Sequence, residues 1–150
     1  MSRNDCELCA KEGGEVVFRS RKWRVVLIDD ADHPGFCRVI WDAHVGEMTD
    51  LDSSERAQLM EAVCEVEAAM RAIMRPVKIN LASLGNMVPH LHWHVIARYA
   101  DDAQFPASVW AAAKRTTPQS VLAQRTALLP QLRAEIVRRL QQSGLAREAV

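Results

Sequence analysis

The stretch Val88-Pro89-His90-Leu91-His92-Trp93-His94-Val95-Ile96-Ala97 decides the fold. Over residues 90–95 a histidine alternates with an apolar side chain. Alternation at period two is a strand pattern, so His90, His92 and His94 share one face while Leu91, Trp93 and Val95 pack on the other. The chain has five histidines, and three fall here. A lone histidine is most often a hydrogen-bonded structural residue. Three in file are costly to bury unless they are hydrogen-bonded or hold a ligand. Two chemistries use such a file. A catalytic metal could take two or three of them. Alternatively, one neutral imidazole attacks while its neighbours orient it and meet phosphoryl charge. The attacking ring needs one nitrogen unprotonated, so the other must donate a hydrogen bond, for which a backbone carbonyl suffices. No acidic residue directly flanks the file, which weighs against the catalytic metal.

Outward from this strand the pattern stays legible. VKINLASL (77–84) reads as a partner strand joined through GNMVPH (85–90). EVVFR (15–19), KWRVVLID (22–29) and FCRVIW (36–41) read as three more, punctuated by Gly13-Gly14 and by the turn-rich DDADHPG (29–35). Between the two groups, Leu59, Val63, Val66, Met70 and Ile73 recur at helical spacing, with Asp52 and Glu55 as a capping pair before them and Pro76 beyond. Leu129, Leu132, Ile136 and Leu140 mark a C-terminal helix, with Pro130 near its start and Gly144 past its end. Residues 101–118 lack a period and read as loop with a short helical piece. The expected fold is α+β: an antiparallel sheet of about five strands, a central helix packed across it and a C-terminal helix. It is expected as one domain over residues 1–150, with a core at about 6–100 and a variable region at 101–150.

Composition narrows the function classes. The 150 residues carry 19 Lys+Arg against 19 Asp+Glu. Zero net charge gives no global field to gather nucleic acid, and no aromatic platform motif appears. No run is long and apolar enough to span a membrane, and the first residues lack the apolar core of a signal peptide. A cytoplasmic protein with reduced thiols is expected. Cys37 and Cys64 lie in apolar patterns and are expected to be buried. Cys6 and Cys9 stand apart, as C-x-x-C in a polar N-terminus, by itself a weak signal for metal or redox chemistry.

His90-Leu91-His92-Trp93-His94-Val95 resembles the signature of the histidine triad, or HIT, superfamily. The preceding Gly85-Asn86-Met87-Val88-Pro89, the upstream strands and His44 extend the resemblance over about residues 6–100. It implies a HIT-like fold and chemistry at nucleotide alpha-phosphates. The implied activity is hydrolysis of dinucleoside polyphosphates through a covalent nucleotidyl-histidine intermediate. Phosphoramidase or nucleotidyl-transferase activity is the alternative within the family, and a non-catalytic nucleotide-binding module is the alternative outside it. By the resemblance His92 is the nucleophile, His94 contacts phosphate oxygens on the leaving-group side, and His90 supports the orienting network. Asp29 would grip ribose hydroxyls, and Asn80 and Asn86 stand at polar substrate-contacting positions. A homodimer is implied as well, with Met60, Met70 and Trp110 as available apolar contacts, for which core burial is an equal explanation. Phe105, Trp110, Lys114 and Arg115 would line the entrance.

The sequence departs from that pattern in places. Met87 stands where many relatives have a serine that helps the leaving group, and a thioether cannot donate. This tells against phosphoramidate substrates, unless Ser83 stands in. Phe36 occupies a position where relatives often carry histidine, and His33 is expected to face solvent. Some bacterial members hold structural zinc with two N-terminal cysteines, a histidine after the third strand and the first triad histidine. Cys6, Cys9, His44 and His90 match those places. The resemblance therefore implies structural zinc and no catalytic metal; the alternative is a frayed N-terminus with free thiols.

Overall fold

The computed structural model describes residues 2–145. Five strands form one sheet: β1 (Glu15–Arg19), β2 (Trp23–Leu27), β3 (Cys37–Trp41), β4 (Lys78–Ala82) and β5 (His92–Arg98). Their spatial order is β1-β2-β3-β5-β4, with every neighbouring pair antiparallel. The helices are α1 (Glu7–Ala10), α2 (Ser53–Met74), α3 (Gln119–Thr126) and α4 (Leu129–Gln142). The architecture is the α+β HIT-like fold expected from the sequence.

Alternation sorts the sheet into two faces. Trp23, Val25, Leu27, Cys37, Val39, Trp41, Ile79, Val95 and Ala97 bury one face together with Leu59, Val63, Val66 and Met70 of α2 and Leu132, Ile136 and Leu140 of α4. Each such aliphatic side chain contributes roughly 1.5–3 kcal/mol by leaving water. The opposite face carries Arg24, Val26, Arg38, Ile40, His92, His94, Ile96 and Arg98. Helix α2 starts where the sequence says it should. Asp52 accepts from the Glu55 amide at 2.8 Å, and Glu55 accepts from the Asp52 amide at 3.1 Å. It ends at Arg75, whose φ of 48° is left-handed, directly before Pro76. Pro130 opens α4, and Gly144 at φ 80° follows its end.

Several expectations need correction. Cys64 is exposed, because it sits 100° around α2 from Val63, off the buried stripe. Of the two readings of Met60 and Met70, core burial is the one observed: Met70 lies in the core and Met60 packs against it. The short helical piece falls outside residues 101–118: α3 begins at Gln119. His33 is buried rather than solvent-facing. The turn that carries it lies under the ends of α2 and α4, where a Cβ on Gly35 would stand 3.2 Å from Met74 and 3.4 Å from Leu132. Asp30 holds one side of His33, accepting from its amide at 3.0 Å and its Nδ1 at 3.2 Å, while Nε2 is buried with no partner among the described residues.

The irregular segment after β5 is pinned by charge. Arg98 is buried and donates to both oxygens of Asp102, at 2.7 and 3.0 Å, to the Asn80 side-chain oxygen at 2.7 Å and to the Ala107 carbonyl at 2.7 Å. Burial pushes the Asp102 carboxyl up, but the Arg98 bonds and the Tyr99 and Phe105 amides outweigh it and hold it at about 2. Arg98→Met would leave Asp102 buried and unpaired. It is expected to cost about 3–5 kcal/mol, read as a lowered urea midpoint; an unchanged midpoint would refute the pinning role.

Candidate functional site

A cavity of about 530 Å³ opens on the face of the sheet opposite α2. His92 and His94 of β5 and Arg38 of β3 form its floor. Glu7 and Leu8 of α1, residues 84–88 and Trp110 form its walls. The register explains the floor: Arg38 pairs with His94, and Ile40 with His92, so each pair shares a face.

His92 is oriented by backbone. Its Nδ1 donates to the His90 carbonyl at 2.6 Å, which leaves Nε2 with its lone pair. Burial lowers its pKa first, and the charges of Arg38 and His90 lower it further, against that carbonyl bond. A neutral, directed imidazole is the result. His94 is buried between rings. Phe36 meets it edge-on at 5.5 Å, His92 at 4.8 Å and Trp110 at 5.0 Å between centroids. Burial, then the charges of His92 and Arg38, push its pKa down to about 4, and its Nδ1 is buried with no partner among the described residues.

That depression has a consequence for stability. The folded state disfavours a proton on His94 that the unfolded chain accepts near pH 6.5. The contribution is complete above about pH 6.5, and is lost as pH falls through about 4. The urea midpoint of the native protein is expected to fall from pH 7 to pH 4.5, and His94→Gln to flatten part of that fall. Equal slopes in the two proteins would remove His94 from the account.

His90 does not line this cavity. It lies beneath it, on a second cluster. Its Nε2 donates to the Trp41 carbonyl at 2.5 Å, so Nδ1 carries a lone pair. That nitrogen stands 3.4 Å from Cys6 Sγ, 3.5 Å from Cys9 Sγ and 3.4 Å from His44 Nδ1, and Cys9 Sγ stands 3.4 Å from His44 Nδ1. All four donor atoms lie within 4.8 Å of one another. A tetrahedral zinc ion with bonds of about 2.3 Å to sulfur and 2.0–2.1 Å to nitrogen needs S···N edges of about 3.5–3.6 Å and N···N edges of about 3.3–3.4 Å. The four spacings given above match those edges. Cys6, Cys9, His44 and His90 form a Cys2His2-like cluster capable of binding a metal, consistent with structural zinc. Arg24 braces it from the sheet, donating to the carbonyls of Leu8 at 2.8 Å, Glu12 at 3.0 Å and Lys11 at 3.3 Å, and pairing with Asp42.

The remaining expected residues scatter. Asn86 lines the cavity. Asp29 is exposed and does not, and Asn80 is engaged by Arg98. The Ser83 hydroxyl donates to the His92 carbonyl at 2.8 Å, so it tacks β4 to β5 instead of replacing a leaving-group serine. Met87 is almost wholly exposed at the rim. Trp110 reaches His94. Arg115 instead donates to the Asp102 and Phe105 carbonyls, both at 2.7 Å. Lys114 is exposed and Phe105 stacks under Arg98, both off the cavity wall. Sequence reasoning missed Arg38. Its one signal was an arginine at an alternate position inside the apolar FCRVIW.

The HIT domain model matches residues 11–101. Two AP-4-A phosphorylases, from two strains of Mycobacterium tuberculosis, are 33% identical over 100 residues, 63% of this chain and 51% of theirs. The chain thus spans about half the length of the curated relatives it matches. A histidine triad protein from Bradyrhizobium japonicum is 30% identical with a TM-score of 0.68, covering 87% of this chain and 92% of its own. A histidine triad protein from Marinobacter aquaeolei is 29% identical with a TM-score of 0.63, covering 84% and 95%. With the family model matched across more than half its length, and His92 and His94 set on one face of β5 with His90 just before it, the chain belongs to the HIT-domain family.

Proposed function

We propose that this protein is a nucleotidyl hydrolase that attacks the alpha-phosphate of dinucleoside polyphosphates through His92. Family membership supplies the general class, nucleotide processing. The observation that carries the finer reading is the Nδ1 bond of His92 to the His90 carbonyl, which aims the free lone pair of Nε2 from the cavity floor. Nε2 attacks the alpha-phosphorus. The P–N bond forms as the bond to the bridging oxygen breaks, and the rest of the phosphate chain leaves with the electron pair. Water then attacks the same phosphorus, the electrons of the P–N bond return to Nε2, and a mononucleotide departs with the proton released to solvent. His94 offers a neutral ring beside the phosphate, and Asn86 a donor from the wall. A zinc ion on the Cys2His2 site would supply a cross-link beneath the strand, fixing the His90 carbonyl that orients His92.

A second reading, transfer of the nucleotidyl group to inorganic phosphate instead of water, is favoured by the matched relatives named AP-4-A phosphorylases. Both readings share the intermediate. Rapid quench of the native protein with diadenosine tetraphosphate, followed by intact mass measurement, is expected to trap one added adenylate. AMP as product then marks hydrolysis, and ADP formed only with phosphate marks phosphorolysis. Neither adduct nor product would overturn the proposal for this substrate class.

A further inference from the structure

Four arginines face the cavity side of the sheet, and three are engaged: Arg19 donates to the Glu12 carboxylate at 2.6 Å. Arg24 is held by three carbonyls and Asp42, and Arg98 by Asp102, Asn80 and Ala107. Arg38 differs. Its guanidinium makes one long bond, Nη1 to the Gly13 carbonyl at 3.3 Å, and its Nε is buried without a partner. A guanidinium presents five donors. Among the described residues it forms no ion pair within 4 Å. The acid that acts on it, Glu7, sits on α1 with its carboxylate mostly in solvent. Burial lowers the pKa of Arg38, which measures the cost of keeping that charge there. An unpaired, half-buried cation is unfavourable for a fold unless an anion completes it.

The cavity is where the anion would come from. Arg38 lines it beside His92 and His94, opposite His94 in the strand register, and it is the one permanent cation among the described lining residues. The two imidazoles are held neutral and bring no charge of their own to an oxyanion. A planar fork of donors fits phosphate oxygens in pairs.

We propose that Arg38 is a phosphate-binding residue of this cavity, donating its Nε and one Nη to oxygens of a polyphosphate chain. This rests on the reading of the cavity as a nucleotide site and deepens it: the ligand class is a chain of linked phosphates. The retention of an unpaired charge in the fold is then the condition for binding, at the expense of ligand-free stability.

Calorimetric titration tests it, using the native chain, Arg38→Met and Arg38→Lys with pyrophosphate, AMP and adenosine as probes. The native protein is expected to bind pyrophosphate, and AMP more tightly than adenosine. Arg38→Met is expected to weaken pyrophosphate roughly 10- to 100-fold and to erase the preference for AMP, leaving adenosine unchanged. Arg38→Lys, which keeps the charge without the fork, should fall between. The ligand-free melting temperature of Arg38→Met should equal or exceed the native value, whereas an arginine serving structure would lower it. Native-strength pyrophosphate binding by Arg38→Met, no pyrophosphate binding by the native protein, or a lowered melting temperature in Arg38→Met would each overturn the proposal. Pyrophosphate bound through Arg38 with neither nucleotide nor nucleoside bound would sink the nucleotide reading alone.

Discussion

His92→Ala is expected to lose turnover of diadenosine tetraphosphate by on the order of 10⁵-fold, and to show no adenylate adduct after rapid quench. The size follows from the role. Removing the attacking atom abolishes the covalent route, and what is left is binding and orientation by a cavity that keeps its other walls. The fold should survive, because β5 keeps its backbone pairing to β3 and β4, and Ser83 bonds the His92 backbone carbonyl, not its side chain. His92→Asn is a sharper version: it keeps a donor for the His90 carbonyl and still cannot attack. Products formed by either variant at the native rate would end the mechanism. The lowered pKa of His92 adds a sign. The lone pair is present while the ring is neutral, so burial extends activity to lower pH than an exposed histidine would allow.

Cys6→Ser is expected to remove bound metal and to destabilise the protein by more than about 4 kcal/mol, within the range where loss of a metal site is a named cause. For a chain of this length that corresponds to a fall in melting temperature of roughly 8–16 °C. Cys6 is wholly buried, so serine cannot find water in place of the ligand. The damage should reach the active strand, since His90 is both a ligand and the residue whose carbonyl orients His92. Elemental analysis of the purified native protein should give one zinc per chain, and Cys6→Ser none. A native protein that purifies without metal and melts with Cys6→Ser would show that the cluster is held by thiol and imidazole contacts alone. Chelator treatment separates structure from chemistry: in whatever fraction stays folded, turnover per molecule should persist.

Much of this was legible locally. Alternation at residues 90–95 fixed a strand and its two faces, and the period of Leu59, Val63, Val66 and Met70 fixed a helix with one buried stripe. Asp52 and Glu55 placed its start, because a cap acts within four residues. The same wheel put Cys64 on the solvent side, so that error came from reading apolar neighbours instead of angle. The metal ligands came only by resemblance, since C-x-x-C alone does not say which histidines complete it.

The sequence by itself determined the strands, the two long helices and the alternation that brings His92 and His94 to one face. These depend on backbone periodicity and on contacts within a few residues. Tertiary structure decided the rest: that His90 turns to the cysteines while His92 meets the cavity, that Asn80 is taken by Arg98, that α2 and α4 cover the His33 turn, and that Arg38 stands beside His94 with no ion pair among the described residues. Such partnerships join distant residues, Cys6 and His90 lying 84 positions apart. Burial and pairing of a charge are properties of the assembled surface around it, and no local period encodes them.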